Sequence, residues 1–256
     1  MKTELIPELA QRLWQAGNGA PPAHPGTADW LDELELAYAV QHATRDLAIE
    51  AGDRVIGYKV GLTSQPARNA FGAGESAAGY LLADRLLEEG QPLSTAGLFE
   101  PKVEIEIGFL LGEALPGPNV TTRDVHDATA AVAPAFEIVD SRWRGGARTL
   151  PMLVADNTNA AHAVLGSHVA PPWDQPEIPT TLSINNRTVP GNATAVMGDP
   201  AEAVAWLAGH LLRNGARLEA GDIVLSGTLC TPTAISAGDR LVADLGELGR
   251  IAVDVN

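Results

Sequence analysis

The chain has 256 residues, 45% of them hydrophobic, and a formal net charge of −15 from 32 acidic and 17 basic residues. That length and apolar content suit one large domain, or one with a smaller appendage, and so acidic a surface repels phosphate backbones, which argues against a nucleic-acid partner. The single cysteine, Cys230, excludes an internal disulfide and any multi-cysteine metal site.

No apolar run reaches the roughly 18 to 20 residues of a membrane helix, and the N-terminus MKTELIPELAQRLWQ has helix character rather than a leader pattern, so a cytoplasmic protein with no membrane partner is expected. The first fifty residues read as helix: ELIPELAQRLWQAG, a Gly/Pro-rich link, then LDELELAYAVQHATRDLAIEAG, closed by Gly52. From RVIGYKVGLTS onward the texture changes. Short β-prone runs bounded by Gly and Pro follow, among them GYLLADRLL, VEIEIGFLL, APAFEIVDS, TTLSINNRTV, DIVLSGTL and RIAVDV, and they predict a curled, mixed β-structure. Helices are expected to interrupt it at RDVHDATAAVAP and at DPAEAVAWLAGHLLRNG, where Asp199 caps and Pro200 takes the first helical position. No repeat or long linker divides the chain, so a helical N-terminal part over residues 1–75 should lean on a β-rich body over residues 76–256. Neither GxGxxG nor GxxxxGK[ST] occurs, so no nucleotide cofactor is indicated, and a GxSxG elbow is missing as well.

The run VEIEI alternates with the period of a strand, which puts Glu104 and Glu106 on one face and Val103, Ile105 and Ile107 on the other. A third acid, Glu137, sits between Phe136 and Ile138 in another apolar run. Ionised carboxylates taken out of water cost several kcal/mol each unless paired, so something positive must join them. Arg142, Arg144 and Arg148 are available nearby, and a divalent cation with hard oxygen ligands is the economical alternative. The bland reading of ExE is a solvated outer sheet face. Lysine is scarce, at 2, 59 and 102 only, and Lys59 lies inside the apolar VIGYKVGLTS, kept there for its chemistry or simply snorkelling from a strand. The histidines at 24, 42, 126 and 210 read as surface or cap residues, whereas His162, just after VADNTNAA, is a candidate to approach a site. Asp84 in LLADRLL is either a further acid or a solvated strand end.

In order and at suitable separations, IGYKVGLTS, FEPKVEIEIGFLLG, PAFEIVDSRWR, VADNTNAA, GDIVLSGTL and AGDRLVADLGELGRIAVDV resemble the 2-keto-4-pentenoate hydratase and 4-oxalocrotonate decarboxylase group of the fumarylacetoacetate hydrolase superfamily. The resemblance covers nearly the whole chain. It implies an α+β fold, a mixed curled sheet or β-roll with flanking helices and a helical N-terminal part, assembled into homo-oligomers. It also implies Mg²⁺ or Mn²⁺ bound by Glu104, Glu106 and Glu137, with Lys59 at the active site. Backbone groups around Leu62 and Thr63 are implied near the substrate carboxylate, and the Ser226–Thr228 turn in contact with substrate. Departures from the pattern fall at Ala77 and Ala78, where an acid is usual, at Met152, where an Asp is usual, and at Asn159, which stands for a substrate-holding Ser.

Three carboxylates on a divalent ion leave roughly three positions open, enough to chelate the 2-oxo and carboxylate oxygens of a small 2-oxoacid. Stabilising an enolate serves hydration, decarboxylation and C–C cleavage alike. The expected activity is hydration of a 2-oxoalkenoate such as 2-hydroxypenta-2,4-dienoate to a 4-hydroxy-2-oxoacid, a step of aromatic catabolism. The alternatives are 4-oxalocrotonate-type decarboxylation, in this group commonly performed with a hydratase partner, acylpyruvate C–C hydrolysis, and a diverged biosynthetic or non-catalytic role. Lys59 either shuttles a proton, its pKa lowered by burial and the metal's charge, or stays charged and anchors the carboxylate.

Overall fold

The computed structural model describes residues 2–173 and 177–256. The N-terminal text becomes α1 (Ile6–Ala16) and α2 (Leu34–Glu50). Helix α1 buries Leu9, Ala10, Leu13 and Ala16, the stripe of an amphipathic helix, into a cluster that also holds Ala37 and Val40 of α2. Gln41 is buried on the same helix because its Nε2 donates to Ala78 O (3.0 Å) and Val154 O (2.8 Å). Two backbone carbonyls from distant segments are thereby satisfied by one side chain.

Strand β1 (Val55–Gly61) follows, then α3 (Gln65–Phe71), β2 (Ala77–Leu82), β3 (Leu86–Glu88) and β4 (Lys102–Leu111). Helix α4 (Thr122–Ala128) leads directly into β5 (Thr129–Val139), and α5 (Leu150–Ala155) precedes β6 (Ala160–Leu165). The hairpin β7 (Pro179–Ile184) and β8 (Arg187–Asn192) comes next, then α6 (Pro200–Arg213), β9 (Ile223–Leu225), β10 (Thr233–Ala234), β11 (Arg240–Asp244) and β12 (Arg250–Asp254). The larger sheet runs β2-β1-β9-β4-β5-β6-β3, with β10 also on β4, and the smaller runs β12-β11-β7-β8. It is a mixed sheet: β1 pairs parallel with β9 and antiparallel with β2, and β4 pairs antiparallel with both β5 and β9. Strand β1 is thus interior to the large sheet, so the segment before residue 75 gives the body a strand as well as its helical cover.

The main core lies between the two sheets and α6. Val103, Ile105, Ile107 and Phe109 of β4 meet Leu182, Leu241 and Ile251 of the smaller sheet, which is where the apolar face of VEIEI was expected to go. Asp199 caps α6 as the sequence suggested, its side chain accepting from Ala201 N at 2.8 Å. The segment RDVHDATAAVAP is helical only through Ala128; TAAVAP is already strand. Its pairing with β4 from Leu111↔Thr129 to Lys102↔Val139 outweighs the helix propensity of four alanines. Helices α3 and α5 carry only six or seven residues, too short for a readable period, and each is started by a hydroxyl cap, Ser64 and Thr149. Among the described residues no helix is long and apolar enough to cross a membrane.

Candidate metal centre and its cavity

The register of β4 on β5 puts Glu104 directly opposite Glu137, and Glu106 stands two residues along the same face. Like charges facing each other across a ladder destabilise it. Nevertheless one carboxylate oxygen from each of the three lies within 4.8 Å of the others. Glu106 and Glu137 have no exposed surface, and Lys59 of β1 is 3% exposed, so the solvated-face reading of ExE does not hold.

Lys59 Nζ sits 3.2 Å from Glu137 Oε2 and donates to Thr158 O at 3.3 Å. The Glu137 contact is an ion pair by distance, but its direction does not make a hydrogen bond, and both Glu137 oxygens lack a donor. Glu106 Oε2 accepts from Gly227 N at 2.8 Å, and Glu106 Oε1 accepts from nothing. That amide reaches Glu106 because residue 227 is glycine: its φ is +113°, and a Cβ there would meet the Thr63 side chain at 2.6 Å.

Burial, then repulsion from Glu137, pushes the Glu104 carboxyl up to about 7, with Lys59 opposing. Burial, Glu137 and Glu104 drive Glu106 well above the usual carboxylate range. Desolvation pulls the Lys59 ammonium down, but Glu137, Glu104 and Glu106 together outweigh it and hold its pKa above the ordinary value. Three carboxyl groups against one ammonium leave two acids without a protein counter-charge and so driven towards their neutral forms, with buried oxygens that no protein donor satisfies. A hard divalent cation answers both deficits, so the donor set fits one. The arginines offered as alternatives are engaged elsewhere or absent from the cluster. Arg142 Nε pairs with Asp156 Oδ1 at 2.5 Å, and among the described residues no arginine pairs with Glu104, Glu106 or Glu137.

Lys59 and Glu104 open onto a cavity of about 1340 Å³, ample for a small acyclic acid and its water. Leu62, Thr63, Asn159 and Thr228 line this same cavity, so the structure gathers the candidate substrate residues around the carboxylates. Leu62 has φ +59°, and its carbonyl is taken by Arg68 Nη1 (3.0 Å) and Ser76 Oγ (3.3 Å). Thr228 Oγ1 spends its proton on Cys230 O at 2.8 Å. Asn157, Thr158 and Asn159 all have left-handed backbones, with φ of 50°, 49° and 63°. Such a run of non-glycine residues is costly and persists only when the surroundings over-determine it. Here Asn157 straddles the backbone of Tyr80, donating to its O (2.9 Å) and accepting from its N (2.8 Å). Across the gap, a Cβ on Gly79 would stand 2.7 Å from Thr158 Oγ1. The turn thereby aims Thr158 O at Lys59 and buries Asn159 Oδ1 without a partner beside the cavity.

Two positions where acids were missing lie elsewhere than the carboxylates. Ala77 and Met152 pack into one apolar cluster with Trp143 and Leu13. His162 does not approach the centre. It lines a separate cavity of about 220 Å³ beneath α1 and α2, where burial pulls its pKa down to about 4. Asp84 is exposed at that second cavity. Sequence reasoning missed Asp140, whose oxygens accept from Phe99 N (2.9 Å) and Glu100 N (2.7 Å), and the Arg142–Asp156 pair that anchors the chain after β5. Both sit in quoted blocks, PAFEIVDSRWR and VADNTNAA, but nothing local distinguishes a scaffold carboxylate from a ligand.

Residues 74–256 match the fumarylacetoacetate (FAA) hydrolase C-terminal family. The chain is 38% identical over 222 residues, 86% of this chain and 85% of the relative, to 2-keto-4-pentenoate hydratase of Paraburkholderia phymatum. It is 33% identical over 248 residues, 96% of each, to 4-oxalocrotonate decarboxylase of a Pseudomonas species. Among solved structures, 4-oxalocrotonate decarboxylase from Pseudomonas putida G7, complexed with magnesium and adipate, superposes with a TM-score of 0.94 at 25% identity, covering 99% of this chain and 98% of that one.

Proposed function

The chain belongs to the fumarylacetoacetate hydrolase family, and from that premise we propose that it is a divalent-metal-dependent hydro-lyase that hydrates a 2-oxoalkenoate of the 2-hydroxypenta-2,4-dienoate kind to a 4-hydroxy-2-oxoacid. The observation that carries this reading is the meeting of Glu104, Glu106 and Glu137 within 4.8 Å, two of them without a protein counter-charge, at the wall of a large cavity. These three would hold the cation, Mg²⁺ or Mn²⁺. When bound, it supplies positive charge where a 2-oxoacid accumulates negative charge during reaction.

The remaining work falls to this chain's own groups. Gly227 N orients Glu106, leaving Oε1 as the free ligand oxygen. Thr158 O and Glu137 fix Lys59, which holds a proton at Nζ beside the cavity and is the basic group nearest the carboxylates. The Leu62–Thr63 turn receives the substrate carboxylate, and Asn159 Oδ1 and Thr228 bind along its chain. Ala77 and Met152 lie in hydrocarbon and offer no proton, so protonation and deprotonation centre on Lys59. The enzyme works in the cytoplasm as a homo-oligomer, whose subunit number light scattering measures.

Decarboxylation of a 4-oxalocrotonate-like acid, with a hydratase as pathway partner, is the second reading. It is favoured by the near-complete superposition on a 4-oxalocrotonate decarboxylase and by the missing acids, since loss of CO₂ needs no base to activate water. Steady-state assays with Mg²⁺ or Mn²⁺, following dienol absorbance while trapping CO₂, separate the two. Dienol loss without CO₂ supports hydration; stoichiometric CO₂ transfers the assignment to decarboxylation; no reaction of either acid in the metal-loaded protein defeats both.

A further inference from the structure

Strand β2 is an edge of the large sheet: β1 pairs with one side of it, and among the described residues no strand pairs with the other. Backbone groups on a buried edge still need partners. Here side chains stand where a strand would. Ala78 N donates to the Tyr38 hydroxyl (3.2 Å) and Ala78 O accepts from Gln41 Nε2 (3.0 Å), both on α2. Tyr80 N donates to Asn157 Oδ1 (2.8 Å), and Tyr80 O accepts from Asn157 Nδ2 (2.9 Å). Between the two clasps Gly79 pairs with Lys59 of β1.

The two clasps differ in what they hold. Tyr38 and Gln41 belong to a long helix with its own packed face, whereas Asn157 opens a turn of three left-handed residues that needs outside support. Asn157 is 8% exposed, and its two bonds to a single residue fix both the distance and the rotation of the turn. The approach is close. A Cβ on Gly79 would stand 2.7 Å from Thr158 Oγ1 and 3.0 Å from both Asn157 O and Asn157 Oδ1, so a residue without a side chain is what lets the turn seat against β2. Seated there, it brings Thr158 O to 3.3 Å from Lys59 Nζ and sets Thr158 and Asn159 on the wall of the large cavity.

We propose that Asn157 is a positioning residue: its carboxamide, clasped on the Tyr80 backbone, sets where Thr158 O and Asn159 stand, and through Thr158 O it holds the Lys59 ammonium beside Glu137. The inference deepens the reading of Lys59 as the proton-handling group and rests on it. The clasp needs one donor and one acceptor at the same reach. Asparagine presents both; an ionised aspartate keeps the shape and loses the donor.

Asn157→Asp in the full-length, Mn²⁺-loaded protein is therefore the sharpest test, read at a temperature where melts show every variant folded. At neutral pH its kcat/KM should fall by about a hundredfold, as misplacing a reacting group by about 1 Å can do. The Mn²⁺ Kd should stay at the wild-type value, because the glutamates stand on β4 and β5. Burial, the Tyr80 carbonyl and the Asp156 carboxylate all raise the pKa of the new carboxyl, with Arg142 and Lys59 opposing. Acid then restores an O–H donor to Tyr80 O, so activity relative to the wild type at the same pH should recover as the pH falls. Asn157→Gly accepts the left-handed φ, removes the clasp without adding charge, and should lose activity at every pH. Water from the smaller cavity, which Tyr80 and Asn157 both line, can satisfy the freed backbone groups. In its crystal structure Thr158 O should have left hydrogen-bond reach of Lys59 Nζ. Wild-type kcat/KM in Asn157→Asp at neutral pH, or a Thr158–Lys59 contact that survives in Asn157→Gly, overturns the assignment. A loss that acid does not reverse, with the Mn²⁺ Kd weakened alongside, marks Asn157 as scaffold and overturns it too. A wild type that turns over neither acid defeats the proposed function and the catalytic part of this assignment with it, while the positional part stands or falls on the contact in Asn157→Gly.

Discussion

The molecule buries charge in two places, and they are built on opposite principles. Around Asp156, Arg142 Nε stands 2.5 Å from Oδ1 as an ion pair, and Oδ2 accepts from Arg142 N (2.8 Å) and from Ser141 Oγ (2.9 Å). The Arg142 guanidinium also serves the carbonyls of Asp140 and Ala160, both at 2.8 Å. Burial pushes the Asp156 carboxyl up to about 6, but with a guanidinium at 2.5 Å the pair is best read as ionised and balanced. Around Glu137, by contrast, three carboxyl groups share one ammonium, so two of them have no counter-charge from the protein. A closed ion pair anchors a loop; an open, under-compensated cluster waits for a ligand. The difference lies in whether the protein supplies the counter-charge itself.

That contrast breaks most sharply at Glu137. Glu137→Gln should cut turnover by about a thousandfold, because it removes a proposed ligand of the cation that would stabilise developing negative charge. It should cost the metal-free protein less stability in denaturant melts than Asp156→Asn does, because Glu104 and Glu106 remain to face the Lys59 ammonium. A marked loss of metal-free stability would show that the cluster is scaffold. Asp156→Asn is the mirror experiment. It strands a buried guanidinium and should cost about 3 kcal/mol in a urea titration. Little change there would erase the distinction between the two clusters.

Metal addition sharpens the comparison without mutation. Mg²⁺ or Mn²⁺ at about 100 times its Kd should stabilise the fold by roughly 2.7 kcal/mol, read as a rise in Tm that chelator reverses. Asp156→Asn should keep the ability to respond, and Glu137→Gln should lose most of it.

The smallest effect concerns pH. His162 titrates near 4 in the fold because it is buried, against 6.5 when exposed, so the unfolded chain binds the proton first. Its contribution is fully present above pH 6.5 and is lost as the pH falls towards 4. Allowing for its partial exposure, His162→Gln should flatten the acid limb of a stability-pH curve by about 1 kcal/mol. An unaltered acid limb would assign that sensitivity to the carboxylates instead.

Much of the site was legible from local pattern. Alternation in VEIEI placed Glu104 and Glu106 on one strand face, and Glu137 was singled out by its apolar company. The same reasoning over-read alanine, since TAAVAP pairs as strand, and could not see that Ala77 and Met152 share one apolar cluster. His162 is near VADNTNAA in the chain, yet it belongs to another cavity, because the turn at Asn157–Asn159 redirects the backbone before β6 begins. Lys59 drew notice as a rare lysine in an apolar run, but what fixes it, Thr158 O, is 99 residues away.

By itself the sequence determined which residues share a face, where strands and long helices run, and which family blocks are present, because backbone geometry gives side chains a period that any short window reveals. Only the tertiary structure decided which buried acids are neutralised and which are left open. Counter-charges come from groups distant in the chain, as Gly227 N does to Glu106 across 121 residues, and no local period encodes that meeting.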